Sequence, residues 1–230
     1  MNKNFLRVLS ALCGAFVVLG MILNCVNFFC FYKPFYQREY QKLETAEQIG
    51  MSREDLQSAT DALLDYLRGR REDLHVTAII HGQQREVFNQ REILHMADVK
   101  TLYLWAMRIG NGLLILAVAF YLWAWVCKQD KKTILGGYLQ GNYILLGLIA
   151  ALGIYAALDF NSFWTGFHQI FFTNDLWLLD PKTDILIQMV PEQFFFDLVM
   201  RIVVSEAVMI AILMVIVYRA KRRQKTESNA

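Results

Sequence analysis

Four long apolar segments alternate with polar segments along the 230 residues of the chain. The apolar segments cover residues 1–31, 103–127, 137–158 and 195–218. Each is long enough to cross a bilayer as a helix, which takes about 20 residues. The first exceeds the apolar region of a signal peptide, and no small-residue cleavage site follows it, so we expect a retained helix. The pattern predicts an α-helical polytopic membrane protein with four transmembrane helices.

The first long polar segment, residues 32–102, carries signals for both helix and strand. Ser52 precedes a run of apolar residues at helical spacing, as the cap of a helix does. Residues 74–80 are rich in β-branched side chains, His81-Gly82 indicates a turn, and residues 85–88 would return as a second strand. We therefore expect a small extracytoplasmic α+β cap here.

The second long polar segment, residues 159–194, contains a single basic residue, Lys182, and many aromatic ones. Aromatic side chains of this kind sit at the level of the lipid headgroups. The segment is therefore predicted to be extracytoplasmic and interfacial. Its aromatic residues include Phe160, Phe163, Trp164, Phe167, Phe171, Phe172 and Trp177.

Basic residues mark the opposite side of the membrane. The loop 128–136 and the tail 219–230 are basic, and Lys3 and Arg7 precede the first span. The positive-inside rule then predicts cytoplasmic termini in a multi-pass plasma-membrane protein, with both long polar segments outside. The formal net charge of +2 is too small to indicate a nucleic-acid partner.

Glycines in the third span permit close contact between helices. They are Gly137, Gly141, Gly147 and Gly153. Glycine lets two helix backbones approach each other, although no extended small-residue dimer face is present. Gly137 and Gly141 have the four-residue spacing and lie at the end of the span.

The stretch before the second span carries candidate chemistry. Asn89 and Glu92 form a capping-box pattern, so we expect one helix that runs from there into the membrane. Arg91, Glu92 and Asp98 would then lie near His95 on the helix surface. A titratable imidazole at the mouth of the bilayer suits acid–base chemistry on a lipid-borne group. The alternative is a solvated helix face that carries a histidine.

A second histidine, His168, stands among aromatic residues just past the third span. By itself it would be explained as an interfacial side chain, but His95 and His168 are predicted at the same membrane level. The two histidines with Asp98 would offer ligands for zinc, although the His95–Asp98 spacing is a weak signal. No G-x-S-x-G or H-E-x-x-H motif occurs in the sequence, so a covalent serine mechanism has little support.

Three charged residues lie inside apolar segments, namely Arg108, Arg201 and Glu206. Such a charge costs about 2.5–3.5 kcal/mol on insertion scales. One interpretation is that the arginines extend to the headgroups and that one ion pair forms. The other is a polar cavity in the outer leaflet that admits a lipid headgroup or ester.

Four motifs together resemble the bacterial lipoprotein intramolecular transacylase family, and the resemblance covers nearly the whole chain. The motifs are Glu92-Ile93-Leu94-His95-Met96-Ala97-Asp98-Val99-Lys100, Phe167-His168-Gln169-Ile170-Phe171-Phe172, Asp175-Leu176-Trp177-Leu178-Leu179-Asp180-Pro181 and Val190-Pro191-Glu192-Gln193-Phe194-Phe195.

The resemblance implies a lyso-form lipoprotein synthase in the plasma membrane. Its substrates would be diacylglyceryl-modified lipoproteins with a free N-terminal Cys, carried in membrane lipids, and it would move the sn-2 acyl chain to the α-amine of that Cys. In the family the matching histidines are catalytic, which gives His95 and His168 here. No cofactor or metal is expected. The alternatives are a non-catalytic lipoprotein-handling factor and a metal-dependent membrane hydrolase.

The expected chemistry divides between the two imidazoles. One would take the amine proton while the other hydrogen-bonds the tetrahedral oxyanion, and the sequence does not say which does which. Asp98 or Glu92 would orient His95. Arg108, Arg201 and Glu206 are further candidates for substrate contact. The rings of Phe167, Phe171, Phe172 and Trp177 would shield acyl chains.

Overall fold

The structure, a computed structural model, describes residues 2–227, and their side chains as far as Arg223. Residue 1 of the first predicted span and residues 228–230 of the predicted basic tail lie outside the described residues. The described elements are, in order, α1 Lys3–Cys30, α2 Lys33–Lys42, α3 Thr45–Ile49, α4 Arg53–Leu67, β1 Thr77–Ile80, β2 Gln83–Glu86, α5 Gln90–Val126, α6 Lys131–Leu158, α7 Phe160–Phe171, α8 Ile185–Met189 and α9 Glu192–Glu227.

Within this described part, four helices are long and apolar enough to cross a membrane. They are α1, α5, α6 and residues Glu192–Arg223 of α9. Many of their apolar side chains face outward; Trp125 is 71% exposed and Ile115 69%. The predicted class, a four-span helical membrane protein with a small mixed segment, is confirmed. α5 also runs without interruption from its polar start into its apolar part, as the capping pattern predicts.

The chain divides into two compact units. The first unit comprises the described residues of Met1–Asn27, Met107–Tyr155 and Met200–Ala230. The second unit comprises Phe28–Ala106 and Ala156–Val199. Both histidines with candidate chemistry belong to the second unit.

Close contact between α1 and α6 organises part of the first unit. A side-chain carbon added at Gly137 would overlap the backbone oxygen of Arg7, and one added at Gly141 would lie 2.7 Å from the backbone oxygen of Ala11. Ser10 Oγ donates a hydrogen bond across the same contact to the carbonyl of Ile134 at 2.7 Å. The prediction of close contact is therefore confirmed at Gly137 and Gly141.

The other two glycines of the predicted third span, Gly147 and Gly153, differ from each other. A side-chain carbon at Gly153 would lie 2.8 Å from Val203 Cγ1, so close contact is confirmed there as well. One added at Gly147 would meet no described atom within 4 Å. Gly147 therefore makes no close contact of this kind, because glycine content alone does not show which face of a helix meets a neighbour.

An aromatic cluster lies in the core of the second unit. Phe35 of α2 and Phe194 of α9 are buried with ring centroids 5.0 Å apart, and Tyr36 lies 5.0 Å from the same Phe194 ring. α4 begins as predicted, because Ser52 Oγ accepts a hydrogen bond from the Asp55 N–H at 3.0 Å.

The predicted hairpin is present with a shifted second strand. Ile80 of β1 pairs with Gln83 of β2, so the loop is only His81-Gly82. Both loop residues have positive φ, 50° and 79°, as a type I′ turn requires. The two-residue turn starts β2 at Gln83 rather than at residue 85. The apolar residues Val87 and Phe88, which the prediction included in the strand, are buried after it.

The contact between α1 and α6 predicts that one valine substitution in α6 destabilises the protein and that another does not. Gly137→Val should reduce the free energy of unfolding by about 1–3 kcal/mol, because its side chain would strike the α1 backbone. Gly147→Val is the matched control in the same helix and should melt like the unsubstituted protein. Thermal unfolding in detergent measures both, and equal melting of the two variants would contradict the contact.

Candidate active site

The start of α5 is fixed by reciprocal hydrogen bonds between Asn89 and Glu92. Asn89 Oδ1 accepts from the backbone N–H of Arg91 at 2.9 Å and from that of Glu92 at 3.1 Å. A Glu92 carboxyl oxygen accepts in return from the Asn89 N–H at 2.6 Å. This is the predicted capping box, and it places His95 in the second turn of α5.

The other oxygen of Glu92 binds the second polar segment. It accepts from the backbone N–H of Leu186, in α8, at 2.5 Å. Beside it, Asn89 Nδ2 donates to Asp184 Oδ1 at 2.8 Å. Glu92 is only 1% exposed. Both carboxyl oxygens of Glu92 therefore bind backbone N–H groups, and Glu92 joins the start of α5 to α8.

His95 and His168 lie next to each other in the second unit. Their ring centroids are 6.0 Å apart with 33° between the ring planes. The two side chains are only 6% and 7% exposed. His168 lies in the last turns of α7, whose start is capped by Asp159 Oδ1 accepting from the Ser162 N–H at 3.0 Å. The structure thus brings together the two histidines that the sequence singles out.

A hydrogen bond to the backbone defines the tautomer of His168. Its Nδ1 lies 2.8 Å from the carbonyl oxygen of Trp164, one helical turn earlier. A carbonyl oxygen can only accept, so Nδ1 carries the hydrogen and Nε2 of the neutral ring carries the lone pair. Burial lowers the pKa of His168, and the hydrogen bond to Trp164 partly opposes that shift. His168 is therefore neutral at neutral pH, with Nε2 available as a base.

Aromatic rings surround the imidazole pair. The Phe172 ring lies 5.3 Å from His95 and 5.6 Å from His168. Trp177 stacks on His168 at 4.9 Å with 29° between the planes, and Trp164 meets it edge-on at 5.0 Å. These contacts surround the two imidazoles with ring faces and edges.

Phe167 and Phe171 differ in their relation to the pair. The Phe167 ring meets His168 edge-on at 5.6 Å. Phe171 contacts Phe167 at 4.8 Å and is 50% exposed. Phe167 therefore belongs to the wall around His168, and Phe171 adds an outer apolar surface.

Asp98 is bound to the loop that follows α7. Asn174 Nδ2 donates to Asp98 Oδ2 at 2.9 Å, and Arg91 donates to the backbone carbonyl of Asp175. Since Arg91, His95 and Asp98 lie on one face of α5, this loop is held against the helix face that carries His95. Asp98 is near enough to interact electrostatically with His95, whose Nδ1 has no hydrogen-bond partner in the described structure.

The zinc alternative requires His95, His168 and Asp98 to converge as ligands. Across residues 2–223, no three histidine, cysteine or acidic side chains form a group able to hold a metal ion. The hydrogen-bonding capacity of Asp98 is directed instead at Asn174.

The three charges predicted inside the spans belong to the first unit. Arg108 is exposed and Arg201 is half-buried. Glu206 is 1% exposed, and neither of its carboxyl oxygens has a hydrogen-bond partner among the described residues. None of the ion pairs found among the described residues includes Glu206.

Sequence reasoning missed three groups that hold the site together: the Trp164 carbonyl, the Asn174 amide and the Leu186 N–H. The four-residue spacing of Trp164 and His168 was an available signal once residues 160–171 are assigned to a helix. Asn174 and the Leu186 amide bind partners 76 and 94 residues away in the sequence, and no local pattern marks such contacts.

Comparison with known proteins gives one family. The model of the family described as lipoprotein intramolecular transacylase Lit matches residues 11–195. The chain is also similar in fold to the structure of the membrane-integral lipoprotein intramolecular transacylase Lit from Bacillus cereus, with a TM-score of 0.78 and 19% identity over 96% of this chain and 100% of that one.

Structures of two variants of the Bacillus cereus protein match as well, one with a histidine replaced by arginine and one with it replaced by alanine. Both matches have a TM-score of 0.73 at 19% identity and cover 96% of this chain. They cover 95% of the arginine variant and 96% of the alanine variant. No curated protein matches the sequence significantly.

The buried contacts of Glu92 predict a specific loss of stability. Glu92→Ala leaves the N–H groups of Asn89 and Leu186 without acceptors, which costs about 1–3 kcal/mol for each buried group. Thermal unfolding in detergent should show a lower melting temperature. Glu72→Ala, at an exposed position of the same unit, is the control and should leave it unchanged. An unchanged melting temperature for Glu92→Ala would contradict the anchoring role.

Proposed function

The chain belongs to the lipoprotein intramolecular transacylase family, and from this premise we propose that it converts diacylglyceryl-modified bacterial lipoproteins to their lyso form. The sn-2 acyl chain moves to the free α-amine of the N-terminal Cys that carries the diacylglyceryl group. The site in which this happens is the pair His95 and His168.

The reaction balances without a cofactor. A bond forms between the amine nitrogen and the acyl carbonyl carbon, and the bond from that carbon to the sn-2 oxygen breaks. One proton leaves the nitrogen and one reaches the departing oxygen. The substrate brings its own nucleophile, so the protein has to supply a base, an acid and a stabiliser of the oxyanion.

The observation that carries the proposal is the contact of two buried imidazoles, with ring centroids 6.0 Å apart. One imidazole has a defined tautomer, because the Trp164 carbonyl occupies Nδ1 of His168. The Nε2 lone pair of His168 takes the proton from the attacking amine. The resulting imidazolium then gives a proton to the sn-2 oxygen as that oxygen departs.

His95 supplies the second function. Its Nδ1 is buried and has no partner in the described structure, so it is free to donate a hydrogen bond to the tetrahedral oxyanion. Two imidazolium ions at this separation would repel each other, which favours one charged ring at a time. Asp98, tied to Asn174, positions His95 electrostatically without contacting the substrate.

The aromatic wall gives the acyl chains an apolar surface. Phe172 and Trp177 cover the imidazoles, and Phe171, Ile170 and Leu178 are exposed beyond them. Exposed rings and aliphatic side chains of this kind favour a lipid environment. Water is kept from the acyl carbonyl, which favours transfer to the amine over hydrolysis.

The orientation in the membrane is the one that the basic residues favour. The termini and the loop 128–136 face the cytoplasm, and the polar segments 32–102 and 159–194, which carry the two histidines, face the outer leaflet of the plasma membrane. The support is the positive-inside rule together with four spans. Lipoproteins that carry a diacylglyceryl group are anchored in the same leaflet, so their modified N-terminal Cys lies at the level of the two histidines.

Mass spectrometry of a lipopeptide tests the function. The purified protein in detergent, with a chelator present, is given a diacylglyceryl lipopeptide with a free α-amine. The proposal requires unchanged total mass, with one acyl chain now attached to nitrogen and resistant to mild base. Release of a free fatty acid would indicate a hydrolase instead, and an untouched lipopeptide would indicate a lipoprotein-handling factor.

Histidine variants test the site in the same assay. His95→Ala and His168→Ala should each reduce the rate of acyl transfer by about 10²–10⁴-fold, since each removes an acid–base or oxyanion group. His75→Ala, at an exposed position of the same unit, should keep the full rate. Thermal unfolding confirms that all three fold. Full activity in either of the first two would overturn the assignment.

A further inference from the structure

A groove of about 410 Å³ opens on the surface of the first unit, which contains neither of the histidines. It is formed by residues near the start of α1, in the first turns of α6 and near the end of α9. The residues that line it are Arg7, Gly136, Leu139, Gln140, Tyr143, Tyr218 and Lys221.

The charge of the groove is positive. Arg7 and Lys221 are its charged lining residues, and no carboxylate lies among them. Neither cation takes part in an ion pair of the described residues. The Lys221 ammonium lies close to Gly136: a side-chain carbon added at Gly136 would be 3.3 Å from Lys221 Nζ. An anion that enters the groove meets two cations that form no ion pair with an acidic side chain of the described residues.

The groove lies at the level of the lipid headgroups. In a four-span chain the start of α1, the start of α6 and the end of α9 fall on the same side of the membrane. Tyr143 and Tyr218 are 60% and 47% exposed there, as tyrosines at a membrane interface are. The next turns of the same helices expose aliphatic side chains, among them Ile144, Leu148 and Val215.

We propose that this groove binds the phosphate headgroup of an anionic phospholipid. Arg7 and Lys221 bind the phosphate, since basic pockets between transmembrane helices recognise anionic headgroups in this way. Gln140 and the tyrosine hydroxyls offer further hydrogen bonds to the headgroup. The exposed aliphatic side chains on the next turns of the same helices favour an intact lipid over a free phosphate ion, because they match its acyl chains. The proposal rests on the membrane spans and is independent of the transacylase activity.

Native mass spectrometry of the full chain in detergent tests the proposal. The probes are phosphatidylglycerol, phosphatidylcholine, glycerol phosphate and inorganic phosphate, each added separately. Phosphatidylglycerol should be retained in preference to phosphatidylcholine. The double variant Arg7→Gln/Lys221→Gln should weaken its retention by about thirtyfold, and either single variant by about fivefold, since each cation contributes about that factor near an anionic surface.

A matched control separates the groove from general charge. Lys131→Gln/Lys132→Gln removes the same charge from exposed positions on the same side of the membrane and should leave the lipid preference intact. Gly136→Leu keeps both cations but fills the groove, and it should also weaken retention. An equal effect of the Lys131/Lys132 variant would overturn the proposal. Retention of inorganic phosphate or glycerol phosphate as strong as that of the lipid would overturn it as well.

Discussion

A single buried carboxyl group, that of Glu92, connects the two polar segments of the protein. One oxygen closes the capping box at the start of α5, and the other binds the Leu186 N–H. Asn89–Asp184 and Asp98–Asn174 hydrogen bonds extend this connection along the same helix. The segments are about 90 residues apart in the chain, so their mutual position depends on these few long-range bonds. The arrangement of His95 beside His168 depends on them in turn.

The chemistry that follows needs little from the protein beyond that arrangement. An acyl shift within one substrate molecule requires proton movement and a hydrogen-bond donor, and in the proposed reaction the two imidazoles supply both. Burial lowers the pKa of His168, and the hydrogen bond from its Nδ1 to the Trp164 carbonyl leaves the lone pair of the neutral ring on Nε2, the base of the proposal. The two rings are not equivalent, because His168 is fixed by the backbone of its own helix, whereas Nδ1 of His95 has no hydrogen-bond partner among the described residues.

Local patterns predicted most of the fold, because apolar length and helix caps are properties of short stretches. The four spans and the capping boxes at Ser52 and Asn89 are of this kind. The hairpin was predicted, but its register required the turn geometry at His81-Gly82. The sequence pattern placed His95 and His168 at one membrane level, and the family resemblance then implied their catalytic role. Their supporting bonds to the Leu186 N–H and the Trp164 carbonyl were not predicted, because backbone groups leave no signature in side-chain sequence. Gly137 and Gly147 were likewise indistinguishable in the sequence, because the sequence does not show which face of α6 packs against α1.

The central claim, that His168 is a neutral base with its lone pair on Nε2, is open to direct measurement. Nitrogen NMR of the ¹⁵N-histidine-labelled protein in detergent at neutral pH reports the protonation of each ring nitrogen. The His168→Ala variant identifies the His168 signals by their loss. We predict a protonated Nδ1 and an unprotonated Nε2 for His168. A proton on Nε2, with or without one on Nδ1, would contradict it.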